Sequence, residues 1–156
     1  ESFDIVLLFG PMYHLFSEEE KLQALNEAKR VVKTGGIIFV AYYMNEYAVL
    51  VHGFRDNFIL QNIADGKLDS SFKIKNDISN LYSMERLEDI KRYSKKVGLK
   101  RVKMIAPDGP SDYMRPVLNK MDEQTFELYC GYIKSICERK ELLGASSHIV
   151  DILIKS

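Results

Sequence analysis

The sequence has no tryptophan, only two cysteines and four prolines, and no apolar run near the roughly 20 residues that a bilayer-spanning helix needs. Cys130 and Cys137 lie seven residues apart in a helical pattern, so their Cα atoms would be about 10 Å apart, too far for a disulfide. The first residues also lack the basic and apolar regions of a signal peptide. We therefore expect buried free thiols, no membrane span and a cytoplasmic protein.

The sequence also has no excess of charge of either sign, because 22 basic residues balance 22 acidic ones. Without a global field, binding to nucleic acid or to an anionic membrane is not expected, and a small-molecule partner is favoured. Residues 86–103 are locally basic. We interpret them as a solvated helix face and strand edge, not as an RNA site.

The 156 residues, 46% of them hydrophobic, are enough for one domain with a substantial core. Residues 3–9 form an apolar run, unbroken after Asp4, that ends at Gly10-Pro11, which predicts a strand buried on both faces. Ser17 followed by three glutamates is a capping box that begins a helix. Gly35-Gly36 is predicted to end this helix before a second buried strand at 37–43.

This order of strand, helix, turn and strand is half of a doubly wound α/β unit with parallel strands. Residues 44–82 are less regular, and we expect them to form two short helices and a covering loop. The remaining expected elements are a helix over 84–97 capped by Ser83, a strand over 99–106, a turn at Pro107–Pro110, a helix from Asp122 to about Lys140, and strands at 71–74 and 148–154.

Four motifs in this order resemble one family. Gly10-Pro11-Met12-Tyr13-His14 after an apolar strand is similar to the GPLYHL loop of class I S-adenosylmethionine-dependent methyltransferases. The matches continue at Ala28–Gly36, at Asp108-Gly109-Pro110, and at Leu142–His148 before the last strand. The resemblance implies the C-terminal part of a doubly wound Rossmann-like methyltransferase sheet. It would hold strands four to seven, the last of them antiparallel.

The resemblance also implies a division of the chain, with a strand-helix-strand core at 1–43, a helical lid at 44–82 and a final core part at 83–156. Members of this family begin with a strand and a glycine-rich G-x-G-x-G turn that holds the cofactor, and this sequence has no such turn. We therefore expect an N-terminally truncated domain that is inactive alone. Its first strand would be exposed on one side, which favours a homo-oligomer.

The implied function is methyl transfer from S-adenosylmethionine to a small-molecule acceptor by the parent protein. The alternative is a noncatalytic methyltransferase-like interaction or regulatory module. Because ligands of this fold lie beyond the carboxyl ends of the parallel strands, the cofactor and the acceptor are expected near the loop that follows the first strand. The predicted cofactor-binding residues are Phe9, Gly10, Pro11 and Tyr13. The predicted substrate-binding residues are Tyr13, His14, Tyr43, Tyr47, Asp108 and His148.

His14 is the candidate general base, since histidine titrates near neutrality. The alternative is that its hydrogen bonds only fix the loop. Similar alternatives stand for the other candidates: packing for the tyrosines, a turn role for Asp108 and a strand-start hydrogen bond for His148. His52 has no partner visible in the sequence, and no metal site is expected because no ligand spacing occurs.

Overall fold

Four strands form one mixed sheet in the computed structural model, which describes residues 1–156. Three irregular turns add to the regular elements: 3-10 turns at Pro11–Tyr13 and Lys140–Ala145, and a π-helical turn at Val49–Arg55. The strands and helices, in chain order, are β1 (Phe3–Leu8), α1 (Glu18–Val31), β2 (Val32–Tyr43), α2 (Asn45–Ala48), α3 (Ile59–Ala64), α4 (Leu87–Lys96), β3 (Lys100–Ile105), α5 (Arg115–Leu118), α6 (Glu123–Ile136) and β4 (His148–Ile154).

The strand order is β1-β2-β4-β3. β1 and β2 are parallel, and β4 is antiparallel to both β2 and β3. β1, β2 and β3 therefore point the same way, and their carboxyl ends lie at one edge of the sheet, where β4 begins. The predicted fold class, with a last antiparallel strand and a helical insertion, is confirmed.

Helix α1 begins as predicted and ends earlier. The backbone N–H of Glu20 donates to Ser17 Oγ at 3.1 Å, and Glu20 Oε2 accepts from the Ser17 N–H at 3.0 Å. The helix ends at Val31, so the prediction that Gly35-Gly36 terminates it is wrong. Both glycines lie in β2, in a bulge between the pairs Phe3–Val32 and Ile5–Ile37.

The bulge explains the two glycines. Gly35 has a φ of 79°, a region that favours glycine. A Cβ on Gly36 would lie 2.9 Å from the backbone oxygen of Asp4, closer than real Cβ contacts. The glycine pair thus allows the bulge in β2 and the close approach of β2 to the backbone of β1. It does not terminate the helix.

Only one face of β1 is covered. Phe3, Ile5 and Leu7 are 54%, 59% and 61% exposed, so the prediction of a strand buried on both faces is wrong. The helices α1 and α4 contribute to the core on the opposite face, together with the fully buried Ile38 and Val40 of β2. The chain leaves an apolar sheet face open, which we call the open face and define by Phe3, Ile5 and Leu7.

Helix α4 starts later than predicted. It begins at Leu87 and not after Ser83, and Asp89 Oδ2 accepts from the Arg86 N–H at 3.0 Å at its start. Ser83 is buried, and its hydroxyl donates to Glu85 Oε1 at 3.1 Å. A hydrogen bond to a buried carboxylate has replaced the predicted capping bond.

Three further expectations are corrected on the outer parts of the chain. Residues 71–74 form no strand, only a single bridge between Leu68 and Ile74, although the two predicted helices are present as α2 and α3. Asp122 caps α6 as predicted, but the helix ends at Ile136 and buries only Ile133. Both cysteines are free and half-buried, where fully buried thiols had been expected.

A buried ion pair joins α1 to the segment before α4. Lys21 and Glu85 are each 1% exposed, and Lys21 Nζ lies 3.2 Å from Glu85 Oε1. Lys21 also donates to the Leu15 carbonyl at 2.5 Å, and the Tyr93 hydroxyl donates to Glu85 Oε2 at 2.8 Å. With partners on several sides, the two charges are compensated where water cannot reach them.

Replacement of Glu85 by alanine should therefore destabilise the fold strongly. The variant leaves the Lys21 ammonium buried without a counter-charge, which costs about 3–5 kcal/mol. Urea unfolding of the wild type and of Glu85→Ala measures the difference. Glu127→Ala is the matched control, because Glu127 is exposed on α6 and its loss should change the free energy of unfolding by about 0.5 kcal/mol or less. Equal effects of the two substitutions would contradict the role of the buried pair.

Candidate functional site

A cavity of about 270 Å³ opens at the edge of the sheet where β1, β2 and β3 end and β4 begins. Its polar groups come from separate parts of the sequence, which the fold brings together. We call it the edge cavity. It is lined by Tyr13, Tyr43, Tyr47, Tyr82, Asp112, Arg115, Ser147 and His148.

The loop after β1 forms one wall of the edge cavity. Gly10 has a φ of 116°, and this turn leads into the short 3-10 turn that carries Tyr13. Met12 is fully buried and anchors the loop in the core. The backbone N–H of Ser83 donates to the Tyr13 carbonyl at 2.8 Å, which fixes the loop against the segment before α4.

Four tyrosines surround the cavity. The ring of Tyr43, at the end of β2, lies 5.6 Å from both Tyr47 and Tyr82, centroid to centroid and edge to face. Tyr82 lies 5.7 Å from Tyr13 in the same geometry. Burial raises the pKa of Tyr43 to about 12, so its hydroxyl stays protonated at neutral pH. The Tyr43 side of the cavity wall is thus aromatic and uncharged.

His148, the first residue of β4, is held by a carboxylate. Its Nδ1 lies 2.6 Å from Asp108 Oδ2, and the Ser147 hydroxyl donates to the same oxygen at 2.6 Å. Burial acts to raise the pKa of Asp108, but the hydrogen bonds from His148 and Ser147 outweigh it and hold the pKa below its usual range. An ionised carboxylate only accepts, so Nδ1 of His148 carries a proton, and the neutral form of the ring has its lone pair on Nε2. An imidazole oriented in this way is able to accept a proton at Nε2 when it is neutral.

A second carboxylate closes the other side of the cavity. The Tyr47 hydroxyl donates to Asp112, which also pairs with Arg115. The hydrogen bond from Tyr47 is the largest of the effects that lower the pKa of Asp112, while burial raises the pKa of Tyr47. The negative charge is therefore neutralised locally by Arg115, and the group orients Tyr47 in the wall.

His14 lies outside this arrangement. It is exposed, and its ring contacts are with Tyr13 and Tyr82 at centroid distances of 5.1 and 5.3 Å. No carboxylate orients its imidazole. Phe9, 54% exposed, and Pro11, also exposed, lie beside it at the start of the loop. The loop residues predicted for cofactor binding are thus accessible from one side.

The fold brings together five of the residues predicted from the sequence: Tyr13, Tyr43, Tyr47, Asp108 and His148. Four lining residues were not predicted and have no local signal other than the position of Ser147 next to His148: Tyr82, Asp112, Arg115 and Ser147. The partner of His52 was also not predicted. His52 Nδ1 lies 3.2 Å from Asp56 Oδ2, and the spacing of four residues on a helical turn was the signal that could have found this pair.

The chain is similar to known methyltransferases in sequence over its first 40 residues and in fold over nearly its whole length. Residues 1–40 match the methyltransferase domain family. The whole fold matches an S-adenosylmethionine-dependent methyltransferase of Methanosarcina mazei with a TM-score of 0.54 at 10% identity, over 99% of this chain and 59% of that one. The chain has the class I methyltransferase fold. The edge cavity lies where this fold places its ligands, beyond the carboxyl ends of the parallel strands.

Other solved methyltransferases resemble the chain more weakly. An Archaeoglobus fulgidus enzyme matches with a TM-score of 0.49 at 15% identity, over 99% of this chain and 60% of its own. A family 2 O-methyltransferase of Planctomyces limnophilus, solved with apigenin, matches with a TM-score of 0.48 at 11% identity, over 100% and 32%. No curated protein matches the sequence.

The chain spans between 32% and 60% of the length of the solved methyltransferases named above. None of its helices combines the length and the apolar character needed to cross a bilayer. No three histidine, cysteine or acidic side chains come close enough to one another to form a metal site.

Proposed function

We propose that the parent protein transfers a methyl group from S-adenosylmethionine to a small-molecule acceptor and releases S-adenosylhomocysteine. The observation that carries the proposal is the edge cavity, which combines the loop after β1 with an oriented histidine at the start of β4. The methyltransferase match of residues 1–40 covers this loop and supports the same activity.

The residues present fit one side of the cofactor. The cofactor supplies a methyl group on a positively charged sulfur. The exposed loop of Phe9, Gly10 and Pro11 offers backbone at the strand end, where a Cβ on Gly10 would have no neighbour closer than 3.8 Å. The aromatic face of Tyr13 suits a neighbouring cation. No G-x-G-x-G turn occurs in this chain, so we propose that these residues alone bind the cofactor weakly.

On the acceptor side, we propose that His148 removes the proton of the acceptor. Its Nε2 is the free nitrogen of the pair with Asp108, and its ring lies 5.2 Å from Tyr43 and 6.0 Å from Tyr13. Tyr43 and Tyr47 position the acceptor through their hydroxyl groups and ring faces. His14, the base proposed from the sequence, lies at the rim. We propose that it contacts the cofactor or acceptor from there.

Calorimetry with S-adenosylmethionine separates the enzyme from a noncatalytic methyltransferase-like module. We expect micromolar binding by the full-length parent protein and far weaker binding by the 156-residue chain, because the chain has no glycine-rich turn to hold the cofactor. Tight binding by the chain alone would contradict the proposed division of the cofactor site. Absence of binding by the parent protein would favour the interaction or regulatory module.

We also propose that two copies of this chain associate through β1. Its outer edge has no partner strand, and its open face exposes Phe3, Ile5 and Leu7. An apolar face beside an unpaired edge favours pairing with another chain. Light scattering should show a dimer or larger oligomer, and Leu7→Lys should shift it toward the monomer. A wild-type monomer at high concentration would contradict this proposal, and Leu128→Lys on α6 is the control.

A further inference from the structure

A second, larger cavity lies within the segment 44–82. Its volume is about 440 Å³, within the range of small-molecule sites. Nine of its 14 lining residues are hydrophobic. We call it the lid cavity. The apolar side chains of its wall include Ala48, Val49, Ile59, Leu68, Ile74 and Met84.

The lid cavity adjoins the edge cavity. Tyr43 and Tyr82 line both, and their rings meet edge to face at a centroid distance of 5.6 Å. The two spaces therefore share the wall that these two aromatic rings form. A molecule that occupies the lid cavity reaches the tyrosine wall that also faces His148.

The end of the lid cavity near Tyr43 carries a fixed set of polar groups. The Tyr43 hydroxyl lies 3.1 Å from His52 Nε2, and Asp56 Oδ2 lies 3.2 Å from His52 Nδ1. Because the carboxylate only accepts, Nδ1 of His52 donates to it, and in the neutral ring Nε2 is left to accept from the Tyr43 hydroxyl. Asp56 orients His52, and His52 in turn orients the Tyr43 hydroxyl.

The lining of the lid cavity has few charged groups, which favours an uncharged ligand. No aspartate, glutamate or arginine lines the lid cavity, and its one formally charged residue, Lys67, is half exposed with a neighbouring carboxylate, Asp65, 3.8 Å away. An anion would have no oriented partner inside, and a cation would have no counter-charge. An uncharged apolar molecule gains from burial without either cost.

We propose that the lid cavity binds the uncharged, apolar body of the acceptor, with its methyl-accepting hydroxyl at the Tyr43 end. The placement of the hydroxyl rests on the proposed methyltransferase function. The binding of an apolar body does not, because it depends only on the cavity. The proposed acceptor class is thus an uncharged, largely apolar small molecule that carries a hydroxyl group.

The test uses 2-naphthol as the probe and the isoleucine Cδ1 methyl resonances of the 156-residue chain as the readout, without cofactor. Ile59 and Ile74 line the lid cavity, whereas Ile5 lies on the open face. We expect saturable shifts at Ile59 and Ile74 and none at Ile5. Shifts at Ile5 alone would locate the probe on the open face and overturn the proposal. Absence of binding would also overturn it.

Two controls make the test specific. Leu68→Trp places an indole ring in the lid cavity, in the space that the probe would occupy. It should weaken binding roughly tenfold or more, because a misfit of even one methylene group in an apolar pocket has an effect of about that size. Leu128→Trp places the same side chain on the exposed surface of α6 and should leave binding unchanged. The second control uses the unchanged chain: the dianion naphthalene-1,5-disulfonate should not bind to it. Equal binding of the dianion and 2-naphthol would overturn the uncharged class.

The outcome is distinguishable from failure of the proposed function. If 2-naphthol does not bind while the parent protein binds S-adenosylmethionine, the lid cavity proposal is wrong and methyl transfer stands. If 2-naphthol binds and the parent protein does not bind S-adenosylmethionine, the cavity is a binding site of a noncatalytic module.

Discussion

The antiparallel insertion of β4 between β2 and β3 is the constraint on which the candidate site depends. A parallel strand in that position would begin at the opposite edge of the sheet, far from the ends of its neighbours. Because β4 runs the other way, its first residue, His148, lies directly opposite Tyr43, the last residue of β2. His148 and the aromatic wall therefore meet through backbone pairing, and the Asp108 carboxylate after β3 completes the arrangement.

The same strand is tied in the core by charge. Asp151 of β4 is fully buried, and Arg101 of β3 pairs with it at 2.6 Å. Burial raises the pKa of Asp151, although the bonds from Arg101 oppose this. A buried pair of this kind is costly to break and ties β3 to β4.

The segment Ser83–Glu85 provides the second tie. Its backbone binds the carbonyl oxygens of Tyr13 and Tyr43 at 2.8 Å each, through the N–H groups of Ser83 and Glu85. The Glu85 side chain at the same time holds Lys21 of α1. One short segment thus connects Tyr13, in the turn after β1, and Tyr43, at the end of β2, to the helix layer.

Local patterns predicted the elements with a local cause. The capping box at Ser17, the Asp122 cap, the final strand and the methyltransferase loop all depend on neighbouring residues, and the structure contains them. The failures had nonlocal causes. The apolar run of β1 does not reveal that this chain covers only one of its faces. Ser83 resembles a helix cap in the local sequence, but its hydroxyl binds the buried Glu85, whose own partner is a lysine 64 positions away in the sequence.

The candidate site was predictable in part for the same reason. Tyr13, Tyr43, Tyr47, Asp108 and His148 follow or precede strands at one edge, so the fold class alone places them together. The pairing of His148 with Asp108 could not be derived, because it depends on the loop after β3 folding back over β4. The contact of His52 with Tyr43 was not predicted, because Tyr43 lies in β2. The contact of His52 with Asp56, four residues away on the same turn, had a local signal.

The most direct test of this account is the protonation of the His148 ring. A long-range ¹H–¹⁵N correlation spectrum at about pH 8.5, roughly two units above the ordinary histidine pKa, reports which nitrogen carries the proton of the neutral ring. The account predicts a proton on Nδ1, retained in Asp112→Asn, because Asp112 does not contact His148. A proton on Nε2 in the wild type would show that Asp108 does not orient the ring, and would contradict the proposed base.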